Sequence, residues 1–161
     1  MLTDERISEL ILVEKILPGN LATIMKLNPK YGNNQKDLKI QAVDGSKFEI
    51  KLRQSKVNSF DFSIVLLYDE GTTNSLFTLR RYNGTSHRHE NKIEKNIIHY
   101  KFHIHTATER YQLLGGKEEG YAEESTLFSD FHGAYELFKN ECNFTNDSDN
   151  GQMDIWSTPT N

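Results

Sequence analysis

From Ile97 to Thr106 apolar and polar side chains alternate residue by residue, and this alternation constrains the fold more than any other stretch of the chain. Ile98, Tyr100, Phe102 and Ile104 fall on one side, and His99, Lys101, His103 and His105 fall on the other. A period of two belongs to a half-buried strand. Its apolar side must lie on a core, so its imidazole side is predicted to look at solvent or a cleft. On that reading the double change His103→Ala and His105→Ala leaves the fold intact. The strand lies in a longer polar stretch, Arg80 to Gln112, which holds five of the six histidines: His87, His89, His99, His103 and His105.

The flanking segments read as helix, then strands, then helix. Thr3 to Leu17 is predicted to be a helix, with Thr3 as N-cap and Asp4 and Glu5 in the first turn, where the dipole favours negative charge. Pro18-Gly19-Asn20 ends it, Leu21 to Leu27 fits either a short helix or a strand, and residues 28–34 read as a loop. Alternation over Leu38 to Ala42 and Phe48 to Arg53, separated by Asp44-Gly45, predicts a hairpin. The run Ile64-Val65-Leu66-Leu67 within Asp61 to Tyr68 predicts the most central strand, covered on both faces. Leu76 to Tyr82 is a further strand, and His87 to Asn96 a long connection. Gly115-Gly116 begins an acidic loop that ends at Glu124. Ser129 or Asp130 caps a second helix with an apolar stripe of Phe131, Ala134, Tyr135, Phe138 and Cys142. From Thr145 the chain has little apolar content and is predicted to be a disordered tail, with Ile155 and Trp156 as its only docking candidates. The expected architecture is one α+β domain over residues 1–144. It has five or six mostly antiparallel strands, with both amphipathic helices packed on one face.

A chain of 161 residues can bury one core without metals or disulfides. The lone Cys142 excludes an internal disulfide, and its place on the helix stripe makes it a small buried hydrophobe. The start, MLTDERISEL, lacks the pattern of a secretory signal, and no stretch approaches the ~18–20 apolar residues of a membrane span. A soluble, cytoplasmic protein is expected. The formal net charge of −4 is uneven: residues 118–161 hold ten acidic groups against one lysine, which leaves the rest mildly basic. A basic body suits an anionic partner such as RNA, and an acidic end suits a basic protein surface.

Two chemistries suit the polar stretch. His87 with His89, and His103 with His105, are H-x-H pairs that on a strand set two imidazoles on one side, roughly 6.5–7 Å apart. Neutral imidazole is a common zinc ligand. Without a supporting cysteine the metal remains unassigned, and no cofactor is predicted. The other chemistry is cleavage of RNA, which needs a base, an acid and a cation for the phosphorane. His89, His103 and His105 suit proton transfer. Arg110 with Arg80, Arg81 and Lys101 supplies charge, while Tyr82, Tyr111, His87 and His99 offer rings or donors to unpaired bases. Titration near pH ~6.5 would make these imidazoles gain charge, and so tighten binding, between pH 8 and 6.

The strings LRRYNGTSHRHENKIE and FHIHTATERYQ resemble the signature of a small bacterial protein family described only as a domain of unknown function. The similarity runs from about Leu38 to Phe144 and leaves the acidic end outside. The resemblance implies a compact cytosolic domain of a bacterium or its mobile elements, with a link to defence genes, and it implies no activity. Two functions therefore stay open: an RNA-directed protein, such as a toxin-like ribonuclease, or a non-enzymatic inhibitor or adaptor that binds another protein.

Overall fold

The computed structural model describes residues 1–18 and 28–146. Seven strands form the main sheet, in the order β10, β9, β6, β5, β4, β3, β2, all antiparallel to their neighbours. They are β2 (Asn28–Lys30), β3 (Asn33–Gln41), β4 (Lys47–Ser55), β5 (Phe62–Asp69), β6 (Phe77–Asn83), β9 (His103–Thr106) and β10 (Tyr121–Glu124). A hairpin of β7 (His89–Asn91) and β8 (Asn96–Ile98) stands apart, and β1 (Lys15–Leu17) pairs in parallel with β11 (Phe144–Asn146). The fold is α+β, as expected, and the main sheet has one strand more than the upper estimate of six. No helix among the described residues is long and apolar enough to cross a membrane.

The sheet has one apolar and one polar face because its strands alternate in phase. Ile50, Leu52, Ile64, Leu66, Leu79 and Tyr82 are buried in one cluster with both long helices. Helix α1 (Asp4–Leu12) contributes Ile7, Leu10 and Ile11, and its N-cap Thr3 accepts from the Arg6 amide. Helix α3 (Phe131–Glu141) contributes Phe131, Ala134, Tyr135 and Phe138, and its N-cap Asp130 accepts from the Gly133 amide at 2.7 Å. The run in β5 sits at the centre of the seven strands, as its unbroken apolar character requires.

Several segments depart from the sequence reading, among them residues 28–34, expected as a loop, which hold β2 and the start of β3. The first helix stops at Leu12 instead of Leu17, and Lys15 explains the stop. Its fully buried ammonium donates to the carbonyls of Ile11 (2.7 Å), Val13 (2.8 Å) and Cys142 (3.0 Å), so it caps orphan carbonyls and ties the helix end to the end of α3. Burial pulls its pKa down to about 8. The histidine strand is broken: Tyr100 takes a positive φ of 50°, so β8 and β9 are separate strands. The connection before it is not irregular but forms β7 and β8. The acidic loop after Gly116 becomes the edge strand β10. A short helix, α2 (Glu109–Leu114), was not foreseen, although Thr108 as N-cap and Gly115 in the left-handed region mark its ends. Strand β11 reaches Asn146, two residues into the stretch expected to be tail, while Leu21 to Leu27, Ile155 and Trp156 lie outside the described residues.

Phe138 is fully buried, edge-on to Tyr82 at 5.5 Å between ring centroids and 5.2 Å from Phe144. Phe138→Ala should cost about 3–5 kcal/mol in chemical denaturation, as large-to-small core changes do. A loss under about 1 kcal/mol would show that α3 does not carry the core.

Candidate functional site: a cavity lined by imidazoles and guanidiniums

Antiparallel register decides which side chains meet on the polar face. Asn83 lies opposite His103, and Arg81 opposite His105. Across β5 the same rungs continue through Ser63 and Val65, and on β4 they reach Arg53 and Lys51. Two neighbouring rungs therefore read Arg53, Ser63, Asn83, His103 and Lys51, Val65, Arg81, His105. Small side chains sit between the cations, which leaves room above the sheet.

The chain leaves β6 through Gly84, whose place only glycine can fill. A Cβ there would lie 1.7 Å from the carbonyl oxygen of Phe60. This close approach leads the backbone over the sheet and brings His87 and His89 above β9. His87 is edge-on to His103 at 5.0 Å, and His89 is edge-on to His105 at 4.4 Å. His103 and His105 are 5.0 Å apart. One ring nitrogen from each of His87, His103 and His105 falls within 4.8 Å of the others.

Backbone carbonyls fix the tautomers. His103 Nδ1 donates to the Lys101 carbonyl at 2.7 Å, and His105 Nδ1 donates to the Glu119 carbonyl at 2.8 Å. A carbonyl only accepts, so each Nδ1 carries the proton and each Nε2 keeps its lone pair. The Asn83 amide donates to His103 Nε2 across a long 3.3 Å. His105 Nε2 is buried and has no hydrogen-bond partner among the described residues. Such an orphan costs roughly 1–3 kcal/mol in an ordinary core. His89 Nε2 donates to the Gly120 carbonyl at 2.9 Å.

The imidazole face of the strand is therefore not turned to solvent. His103 is 0 % exposed and His105 7 %, covered by the β7–β8 hairpin and the turn before β10. The Asn91 side chain locks that cover, because it donates to the Ala122 carbonyl and accepts from the Ala122 amide, both at 2.8 Å. Burial is the main reason that the His103 pKa falls to about 4 and the His105 pKa to about 3. Burial of its ring, then the neighbouring His89, holds His87 below its ordinary value as well. The expected gain of imidazole charge between pH 8 and 6 is thus overturned for His103 and His105. Both rings are buried, so His103→Ala with His105→Ala would leave space inside the protein and not only alter its surface.

Beside the imidazoles opens a cavity of about 280 Å³ that Arg53, Arg81 and Lys117 also line. Asp61 pairs with Arg53 and accepts from the Ser86 hydroxyl. Glu119, read from the sequence as solvated loop charge, is buried and pairs with Arg81 at 2.7 Å. Arg81 Nε keeps an N–H with no partner among the described residues. Arg53, Asn83, Lys117 and Glu119 are among the members that sequence reasoning missed. Arg53 and Asn83 continue the polar phase of β4 and β6, whereas nothing local marks Glu119. A larger cleft of about 410 Å³ lies on the other face of the sheet, lined by Arg80, Glu123, Glu124 and Glu141 and by no histidine.

The remaining predicted residues separate from the cavity. Arg80 points to the helix face and pairs with Glu141 at 2.9 Å. Tyr82, in phase with the core, is fully buried and donates to Glu141, so its ring stacks no base. Tyr111 is buried with its hydroxyl on Glu94, and Arg110 pairs with the same carboxylate and lies over the Tyr121 ring at 4.8 Å. His99 and Lys101 are exposed beyond the end of β8, and the ring contacts of the other four histidines do not include His99. Of the predicted set, His87, His89, His103, His105 and Arg81 come together. Comparison with protein-family models, with curated proteins and with solved structures finds no match to this chain.

The lowered pKa values fix a sign for acid stability. Below pH ~6.5 the unfolded chain binds protons at His103 and His105 that the folded protein does not. Stability is full above that pH and falls as the pH drops towards about 4 and about 3. By pH 5 the loss should reach roughly 1–2 kcal/mol per histidine, measured by urea denaturation in chelator. His105→Gln should flatten the pH dependence. An unchanged profile in that variant would contradict neutral burial.

Proposed function

We propose that the protein is directed at single-stranded RNA, which it binds across the polar face of the sheet and cleaves at the histidine cavity. The observation that carries this reading is the pair of rungs that align Lys51, Arg53 and Arg81 with His103 and His105. Phosphate oxygens accept from guanidinium and ammonium groups, and a planar guanidinium suits them best. The Arg81 side chain is part-exposed and lines the cavity, where it can meet such an oxygen. Lys117, exposed and lining the cavity, adds charge at the mouth. Inside the cavity His89, whose Nε2–H is committed to the Gly120 carbonyl, keeps its Nδ1 lone pair for the proton of a 2′-hydroxyl; that oxygen attacks phosphorus as the 5′ oxygen leaves with a proton from water or the Lys117 ammonium. RNA carries that internal nucleophile and DNA lacks it. The two buried imidazoles do not supply the acid, since both stay neutral near pH 7.

Labelled single-stranded RNA and DNA of one sequence, incubated with the protein at two salt concentrations, test this. Binding of RNA should weaken with salt, with a slope of about −0.7 per phosphate contact. Lys51→Gln should lower that slope by about one contact, because Lys51 is an exposed side chain of the sheet face. Only the RNA should be cut. No binding at low salt, or an unchanged slope in Lys51→Gln, would overturn the reading.

A further inference from the structure

We infer that His87, His103 and His105 form a site for one divalent transition-metal ion of the zinc class, with a coordination position left open to the cavity. The site is a property of the three imidazoles and stands whether or not RNA is the substrate.

The first support is convergence. The three rings come from two segments, and each presents a nitrogen within 4.8 Å of the other two. Around a tetrahedral zinc with bonds of about 2.0–2.1 Å, the ligand nitrogens lie about 3.3 Å apart. Closing the cluster therefore takes shifts on the order of 1.5 Å or less. His87 can supply that movement, because it is exposed and its Nδ1 has only a long 3.5 Å contact with the Ser86 hydroxyl.

The second support is the outer layer. Metal-bound histidines almost always donate their other ring N–H to a carbonyl or carboxylate, which orients the ring and fixes the tautomer. His103 and His105 both do so, through Lys101 and Glu119 carbonyls; this leaves Nε2 of each to a metal, where His105 Nε2 has no partner among the described residues and His103 Nε2 gives up only the long 3.3 Å contact from Asn83. The buried His105 Nε2, without a hydrogen-bond partner among the described residues, is then a ligand atom and not a defect.

The third support is the donor set, which selects the class of metal. Two carboxylates beside the imidazoles are held by guanidiniums, Asp61 by Arg53 and Glu119 by Arg81. Three nitrogen donors with no free carboxylate suit zinc, copper, nickel or iron and disfavour magnesium and calcium, which take oxygen ligands. Three protein ligands leave a fourth position, the arrangement of catalytic and not structural zinc. Arg53 and Arg81 line the same cavity, so a water or small anion at that position has cationic neighbours.

The test uses the full chain stripped with chelator and then titrated with zinc and, separately, cobalt, with no nucleic acid present. Bound metal is counted by atomic emission after gel filtration. About one equivalent per chain is expected, with the visible absorption of tetrahedral cobalt and a rise in thermal midpoint. His87→Ala is the main variant, since its exposed side chain can be removed without opening the core. It should weaken binding by about tenfold or more, with an unchanged circular dichroism spectrum, while His99→Ala should bind like wild type. Magnesium and calcium should not compete. No stoichiometric binding, or equal binding in His87→Ala, would overturn the site. Stoichiometric metal binding here, together with RNA left unbound and uncut in the RNA assay, would overturn only the RNA reading.

Discussion

Four residues of β6 face four of β9, and this short ladder decides what the cavity contains. Side chains alternate across a strand, so a slip of one residue would exchange every partner. Ile104 would then point into the cavity, and His103 and His105 would enter the apolar core. Two constraints hold the register. On the core side Phe102 stacks on Phe62 at 6.2 Å and meets Phe128 edge-on at 5.3 Å, while Ile104 packs against the main cluster. On the other side the two ring N–H groups bond to fixed backbone carbonyls. Apolar burial and polar satisfaction therefore select the same pairing.

The cavity is assembled from chain segments that would not order each other alone. The β7–β8 hairpin has only three residues per strand and rests on side-chain bonds to its surroundings. Asn91 replaces a neighbouring strand at Ala122, and the Tyr111 hydroxyl accepts from the Ile93 amide while donating to Glu94. Gly120 has no room for a Cβ, which would lie 2.4 Å from the Tyr111 ring. Its carbonyl then reaches His89. Glu119 serves two groups at once, through its carboxylate to Arg81 and its carbonyl to His105. Tyr111, Asn91 and Glu119 thus act on the site by placement, without lining its reactive part by imidazole chemistry.

Burial gives the imidazoles their chemical character. A histidine on an open strand face would titrate near neutrality and behave as a switch. Inside the fold, His103 and His105 are neutral lone-pair donors whose N–H groups are already committed. Neutral lone pairs of this kind suit metal coordination, and the lowered pKa values remove the two rings from the acid role. The guanidiniums beside them keep their charge and are steadied by carboxylates, so the cavity joins a nucleophilic and a cationic half.

The sequence by itself determined the two-faced sheet. Period-two alternation, the apolar run of β5, the Asp44-Gly45 turn and the capped stripe of α3 are local patterns, and local physics governs them. It also set the phase of β9, with His103 and His105 opposite Phe102 and Ile104. Tertiary structure decided which of those residues work together. The core phase of β6 took Arg80 and Tyr82 to the helix side, and the Arg110 and Tyr111 side chains were taken by Glu94. Covering the histidine face depended on a backbone approach at Gly84 and a left-handed turn at Tyr100, neither of which has a pattern to read. Lys15 shows the same limit at the first helix. Its ammonium ends the helix by bonding a carbonyl 127 residues away, a partner that only the folded chain brings within reach.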